Sequence, residues 1–208
     1  KKNVNLDKVK LKNVLAHPKW KMGLNNSIDS SNFINKILEI YELSIIYNIS
    51  LQNIDFLISQ EAYIHSVVIY NDNTLSINCF ENDMLIPLIK PLKKYYNYLS
   101  LNNSNKKFLN NKYLKIEKFD DKRFKINKYF NILKNLSNNK QIYFLILNNI
   151  AQKKYLSGEI KYNQIIDYII FNLKKININK NIKFKSLNDR IKFINSVKLW
   201  SLKKIYFY

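Results

Sequence analysis

The chain has 208 residues, 47% of them hydrophobic, with two glycines, three prolines and a formal net charge of +20. That composition provides enough apolar material for one or two domains with a buried core, and too little glycine and proline for a disordered linker. No apolar run approaches the roughly 18 residues of a membrane span, the N-terminal KKNVNLDKVK has no apolar core of a signal peptide behind it, and a single cysteine excludes an internal disulfide framework or a cysteine-rich zinc site.

Residues 1–12 form a basic, partly apolar lead-in, and HPKWKMGLNNSI (17–28), with Pro18 and Gly23 as breakers, reads as a loop. A helix is expected from DSSNFINKILEIYELSIIY (29–47), capped by Asp29 or Ser30. Its apolar stripe is Ile34, Ile37, Leu38, Tyr41 and Ile45, while Asn32, Asn35, Lys36, Glu39 and Glu42 fall on the opposite face. Three short strands follow at 54–58, 63–70 and 74–80, the last two joined by a turn at 71–73. Cys79, in the alternating run of the third strand, reads as a buried thiol. In NDMLIPLIKPLKK (82–94), Pro87 and Pro91 restrict helix formation. The polar, Asn-rich stretch 94–115 reads as a linker. Helical patterns then occupy 124–136, 141–156, 163–175 and 187–204. The third has its apolar face at Ile165, Ile166, Ile169, Ile170 and Leu173, and SLND (186–189) resembles a capping box for the fourth. The expected fold class is α/β (α+β): a domain with a small sheet and helices, followed by an all-α, four-helix bundle-like domain.

Between His17 and Gly23 stands one of each of the chain's paired histidines, tryptophans, methionines and glycines. His17 could touch an anion or simply be exposed, and Trp20 with Met22 fits either an apolar lid or an anchor for the loop. Asn35, Lys36 and Glu39 stand at i, i+1 and i+4, within one arc of a helix. A carboxylate beside an ammonium and an amide can hold a metal next to a phosphorylated ligand. Ser30, at the expected helix start, adds a hydroxyl where the dipole favours an anion. The same spacing also fits a solvent-facing Lys36–Glu39 pair. His65 reads as a core histidine, Met84 as packing, and DDKR (120–123) as a helix-start charge cluster. No Ser–His–Asp arrangement or histidine pair is present.

With Gly23 and Gly158 alone, no G-x-G-x-x-G or Walker-type loop can form, so any nucleotide-binding domain lies outside these residues. Lys, Asn, Ile, Phe and Tyr, all with AT-rich codons, are abundant together, and the lysines are spread along the chain rather than gathered in a stripe. The charge therefore reads as compositional bias, and no specific nucleic-acid partner is expected. A basic nucleic-acid-binding module is the alternative, and it would need basic and aromatic residues interleaved on one face.

Taken together, several stretches resemble one family. HPKWKMG followed by SIDSSNFINKILE is similar to H-P-x-W-x-M-G and then D-S-A-T-M-M-N-K-G-L-E of the 1-deoxy-D-xylulose-5-phosphate reductoisomerases. IDFLISQEAYIHSVVIYNDNTLSI resembles their I-E-V-V-I-H-P-Q-S-I-I-H-S-x-V-x-Y-x-D-G-S-V, and ENDMLIPL their P-D-M-R-x-P-I. Far downstream, NNIAQKKYLSGEIKYNQI is similar to N-E-I-A-x-x-x-F-L-x-x-x-I-x-F-x-x-I. The order and gaps agree across almost the whole chain. The departures are Ser59 for the first histidine of H-P-Q-S, then Gln60, Glu61 and Ala62, Asn73 for a glycine, and Asn149 for the glutamate of N-E.

The resemblance implies an enzyme of the non-mevalonate isoprenoid pathway that rearranges 1-deoxy-D-xylulose 5-phosphate and reduces the product with NADPH to 2-C-methyl-D-erythritol 4-phosphate, using Mg2+ or Mn2+. It makes Glu39 a metal ligand and Ser30, Asn35 and Lys36 phosphate-binding residues, with Glu39, Lys36 and His17 catalytic. His17 and Trp20 would cover the substrate from a lid loop, and Gly23 and Met84 would approach the cofactor. Residues 1–93 would form a catalytic and dimerisation domain, 94–115 a linker and 116–208 a helical domain, in a homodimer of the cytoplasm or alternatively the plastid stroma. In the family the NADPH domain, two acidic metal positions and one phosphate-binding serine precede this region, so these residues alone are expected to be inactive. A degraded, non-catalytic dimerising remnant is the other reading.

Overall fold

A computed structural model describes residues 6, 9–15, 23–81, 83, 85–92, 114–119, 122, 124–176, 182 and 184–204. In chain order its helices and strands are α1 (Leu11–Val14), α2 (Leu24–Ser31), α3 (Ile34–Tyr47), β1 (Leu57–Ser59), β2 (Ile64–Ile69), β3 (Leu75–Cys79), α4 (Leu85–Leu92), β4 (Ile116–Lys118), α5 (Lys125–Lys134), α6 (Asn138–Leu156), α7 (Gln164–Lys174) and α8 (Leu187–Lys204). The fold is thus helical with small sheets.

The first helical stretch is two helices and a sharp junction. Residues 24–28, expected in a loop, already belong to α2, whose N-cap is Gly23 in an extended conformation. Asp29 and Ser30 therefore lie inside α2 and cap nothing. The reason is tertiary: Ser27, Ile28 and Asp29 are buried, and that burial outweighs the loop composition. The chain turns at Asn32–Phe33, where Phe33 adopts the left-handed conformation (φ 66°). Asn32 Oδ1 then accepts the backbone N–H of Ile34 at 2.9 Å, satisfying one of the free donors at the start of α3. On α3 the buried residues are Ile34, Ile37, Ile40 and Tyr41, so the stripe runs through Ile40 rather than Leu38. Ile45 is 71% exposed, because the last turn of α3 extends beyond the Tyr41 hydroxyl bond to the Leu133 carbonyl that ties α3 to α5. Asn48, also left-handed, ends the helix.

Packing divides the chain into two units, Lys1–Asp55 with Asp120–Tyr208, and Phe56–Phe119. Helices α2 and α3 bury their apolar faces with α5 and α6, far along the chain. In the helical unit, Ile28, Ile37, Leu133, Phe144, Leu147 and Ile165 are completely buried. α6 packs along α7, and Gly158 (φ 81°), between these two helices, takes a left-handed conformation that suits glycine. All five apolar residues expected on α7 are buried. Tyr143 of α6 meets Phe193 and Trp200 of α8 edge-on. Ser186 and Asp189 form the expected capping box, each side chain bonding the other's backbone N–H at 3.1 Å.

The other unit holds two antiparallel ribbons, β1 with β4 and β2 with β3, instead of one small sheet. β4 lies outside the expected strands, within reach only because residues 57–59 pair with 116–118. In the β2–β3 turn, Asp72 Oδ1 accepts from the backbone N–H and hydroxyl of Thr74 at 2.9 and 2.7 Å. Asn73, the family's glycine position, takes φ 65°, a conformation asparagine tolerates. Every residue of β3 is exposed, so Cys79 is not a buried thiol. Nor is His65 in a core: it is exposed and stacks on Phe80 at 3.6 Å between ring centroids. α4 forms despite Pro87 and Pro91. Pro87 occupies the first turn, where no intrahelical N–H is needed, and Asp83 Oδ1 accepts the Leu85 N–H at 2.9 Å. The expected linker lies outside the described residues except for 114 and 115, and DDKR except for Lys122.

Candidate functional site

The α2–α3 junction brings Asn35, Lys36 and Glu39 together. Asn35 Nδ2 donates to Glu39 Oε1 at 2.5 Å, and Lys36 Nζ contacts Glu39 Oε2 at 2.7 Å. Both side chains of the ion pair are about two-fifths exposed, 41% and 42%, so the cluster is open to a ligand from solvent. Asn35 and Lys36 stand in the first turn of α3, which carries no acidic residue. The dipole of a helix start favours an anion there, and Lys36 adds a full positive charge. The expected role of a helix start thus belongs to α3 and not to Ser30. Ser30 is half-buried in the last turn of α2, one short turn of chain before α3.

Glu39 supplies one carboxylate with two oxygens, a hard donor suited to Mg2+ or Mn2+ as one of several ligands. Among the described residues no group of three or more His, Cys, Asp or Glu could hold a metal. The residues present fit one ligand position of such a site. Gly23 is exposed at the start of α2, and a Cβ built there would meet nothing within 4 Å. His17, Trp20, Met22 and Met84 lie outside the described residues.

Sequence reasoning missed the polar anchor behind this junction. Asp29 is 6% exposed, and its carboxylate accepts from Asn148 Nδ2 at 3.0 Å to each oxygen and from Gln152 Nε2 at 2.5 Å. Ser31 Oγ accepts from Tyr162 OH at 3.1 Å and donates to the Ile28 carbonyl at 2.7 Å. Burial pushes the Tyr162 hydroxyl up to about 12, against the lowering effect of its bond to Ser31. A signal was present, since Asp29 and Asn148 both fall in the stretches that carry the family resemblance.

Burial raises the Asp29 carboxyl above its ordinary 3.8, and the bonds from Asn148 and Gln152 offset only part of that. A raised folded-state pKa means that the folded chain holds the proton more tightly than the unfolded chain. This contribution to stability is complete below 3.8 and is lost as pH rises through the folded value. Asp29→Asn stays neutral, so it should gain stability relative to the wild type between acidic and neutral pH. Urea unfolding of both proteins at the two pH values measures this, and a stability difference independent of pH would contradict it.

This helical scaffold with its small ribbons is that of about half of a solved reductoisomerase chain. A crystal structure of DOX-P reductoisomerase in complex with NADPH, fosmidomycin and magnesium superposes with a TM-score of 0.79 at 22% identity, covering 97% of this chain and 50% of that one. In sequence, residues 1–47 match the family model of the 1-deoxy-D-xylulose 5-phosphate reductoisomerase C-terminal domain. The 1-deoxy-D-xylulose 5-phosphate reductoisomerase of Pelagibacter ubique is 33% identical over 198 residues, 91% of this chain and 48% of the relative. That of Pseudothermotoga lettingae is 30% identical over 195 residues, 90% of this chain and 50% of the relative. The chain is a relative of the 1-deoxy-D-xylulose 5-phosphate reductoisomerases, and it spans about half the length of the curated relatives it matches.

Proposed function

We propose that this chain is the substrate- and metal-binding half of an enzyme that converts 1-deoxy-D-xylulose 5-phosphate to 2-C-methyl-D-erythritol 4-phosphate with NADPH. The observation that carries the reading is the Glu39 carboxylate, contacted at once by Asn35 and Lys36 at the start of α3, on the positions of the family's N-K-x-x-E. In this reading Ser30, Asn35 and Lys36 hold the substrate phosphate, with Lys36 supplying the charge and Asn35 a neutral donor. Glu39 is one oxygen ligand of Mg2+ or Mn2+, which when bound supplies Lewis-acid polarisation of the substrate oxygens. The contact with Lys36 orients the Glu39 carboxylate, and the phosphate and metal sites would lie side by side on one helix turn. His17 and Trp20 close over the substrate and exclude water, and Gly23 and Met84 lie on the cofactor side.

The particular architecture belongs to the same reading. α5 to α8 act as a bundle-like helical domain, supported by the packing of α6 on α7 and α8 and of α5 on α7. A homodimer forms through the strand region. Val67, Ile69, Leu75 and Ile77 share one face of the β2–β3 ribbon, and Ile69, Leu75 and Ile77 are 74%, 58% and 49% exposed. An isolated two-stranded ribbon with such a face is marginal without a cover. Among the described residues no helix is long and apolar enough to cross a membrane, and the bacterial relatives support a cytoplasmic setting.

Lys36→Ala in the full-length enzyme tests the phosphate assignment. A lost charge-assisted hydrogen bond is worth about 1.5–3 kcal/mol, so KM for the sugar phosphate should rise roughly ten- to a hundredfold, with metal affinity nearly unchanged. Steady-state kinetics with a metal titration reads both quantities, and an unchanged KM would remove Lys36 from the phosphate site.

A further inference from the structure

Ser30 sits between two residues that are already committed elsewhere. On one side Asp29 reaches Asn148 and Gln152, and on the other Ser31 reaches Tyr162. Asn148 and Gln152 are one helical turn apart on α6, so both side chains converge on a single carboxylate and fix α2 in rotation as well as along its axis. A buried carboxylate held only by neutral amides is a costly way to dock two helices. Ile28 beside it is fully buried and shows that apolar docking is available at the same place. The amides meet a further cost, for Asn148 Oδ1 and Gln152 Oε1 are buried and accept no hydrogen bond among the described residues. Three residues beyond Ser30, Phe33 is held left-handed with its ring edge-on to Phe124 at 5.0 Å. Such a conformation persists in a bulky residue only where the surroundings over-determine it. The costs at Asp29 and Phe33 fall within three residues of Ser30, and the two amides meet at Asp29.

We propose that Asp29, clamped by Asn148 and Gln152, is a positioning residue that sets the α2–α3 junction so that Ser30 and the first turn of α3 address the same phosphate. It touches no ligand itself and acts through Ser30. The inference rests on the phosphate reading given above, and the test separates the two.

The test is equilibrium dialysis of inorganic phosphate against the full-length enzyme, with NADPH binding measured on the same samples. The wild type should bind phosphate and Lys36→Ala should not, which secures the reading on which the inference stands. Asp29→Ala should weaken phosphate binding about tenfold or more, the scale of losing a partner that orients a ligand-binding group, and leave NADPH binding intact. Asp29→Asn should stay near the wild type, because the free oxygens of Asn148 and Gln152 can turn to the new amide. Val197→Ala, which opens a cavity on the buried face of α8, should lower the melting temperature and leave phosphate binding alone. If Asp29→Ala does not fold, Gln152→Ala takes its place with the same expectation. Wild-type phosphate binding with an unaffected Asp29→Ala overturns the positioning role alone, as does equal loss of phosphate and NADPH binding. Failure of the wild type to bind phosphate, or full binding by Lys36→Ala, overturns the phosphate reading and this inference with it.

Discussion

Glu39→Gln in the full-length enzyme should lower turnover by about a hundredfold or more while leaving the fold intact. Losing a partner that merely orients a metal ligand costs roughly 10–100-fold, so removing the charge of a ligand itself should reach at least the upper end of that range. The substitution preserves size and keeps an oxygen that Asn35 and Lys36 can reach, which makes it a test of charge rather than of packing. A hard divalent cation requires that charge, and metal titration should show weakened activation alongside the fall in kcat. The stability change should be small. The Lys36–Glu39 pair is about two-fifths exposed on both sides, and an i,i+3 pair in that setting contributes at most about 0.5 kcal/mol. A thermal melt beside the kinetics separates the two roles. Near-normal turnover would leave Glu39 as a surface ion pair and would withdraw the metal assignment from α3.

The second large effect concerns the core behind that helix. Phe144 of α6 is fully buried and meets Tyr41 of α3 edge-on, with centroids 6.0 Å apart and planes at 85°. Tyr41 in turn donates to the Leu133 carbonyl of α5, and burial raises its hydroxyl well above the usual tyrosine range. Three helices meet at this point, two residues from Glu39. Phe144→Ala removes a large ring and the aromatic pair, and should cost about 3–5 kcal/mol. Against a total stability of about 5–15 kcal/mol that is a large share. Ile46→Ala, at a position 64% exposed on the same helix as Tyr41, should stay within about 0.5 kcal/mol. Urea unfolding of both variants provides the measurement. A loss below about 1.5 kcal/mol for Phe144→Ala would mean that the core between α3 and α6 re-forms around the cavity.

The first of these predictions concerns residues that the sequence made visible. Asn35, Lys36 and Glu39 were legible as one arc because helical spacing alone brings i, i+1 and i+4 to one side, and the structure places the three side chains in contact. The face of α7 was legible because five apolar residues repeat at helical period, and all five are buried. The capping box at Ser186 needed only two residues three apart. The hairpin at 71–73 needed only an aspartate and an asparagine at the right places.

Other features could not be read locally. The break between α2 and α3 depends on Phe33 in a left-handed conformation, to which no residue propensity points. The clamp on Asp29 joins residues 119 and 123 positions apart in the chain. β4 pairs with a strand almost sixty residues earlier, so its three residues carry no signal apart from their partner. The exposure of Cys79 and His65 follows from a ribbon with no core to face among the described residues, where alternation of apolar and polar residues no longer reports burial.

The sequence by itself determined the helical character of α3 and of α5 to α8, the convergence of Asn35, Lys36 and Glu39, and the resemblance to the reductoisomerases, because each of these is encoded at short range or in ordered motifs. Only the tertiary structure decided where the first helix breaks, which helix start supplies the anion-favouring dipole, and that helices from the two ends of the chain share one core. Those outcomes are set by burial and by buried polar pairing between distant segments, and such free energies exist only once the segments have met.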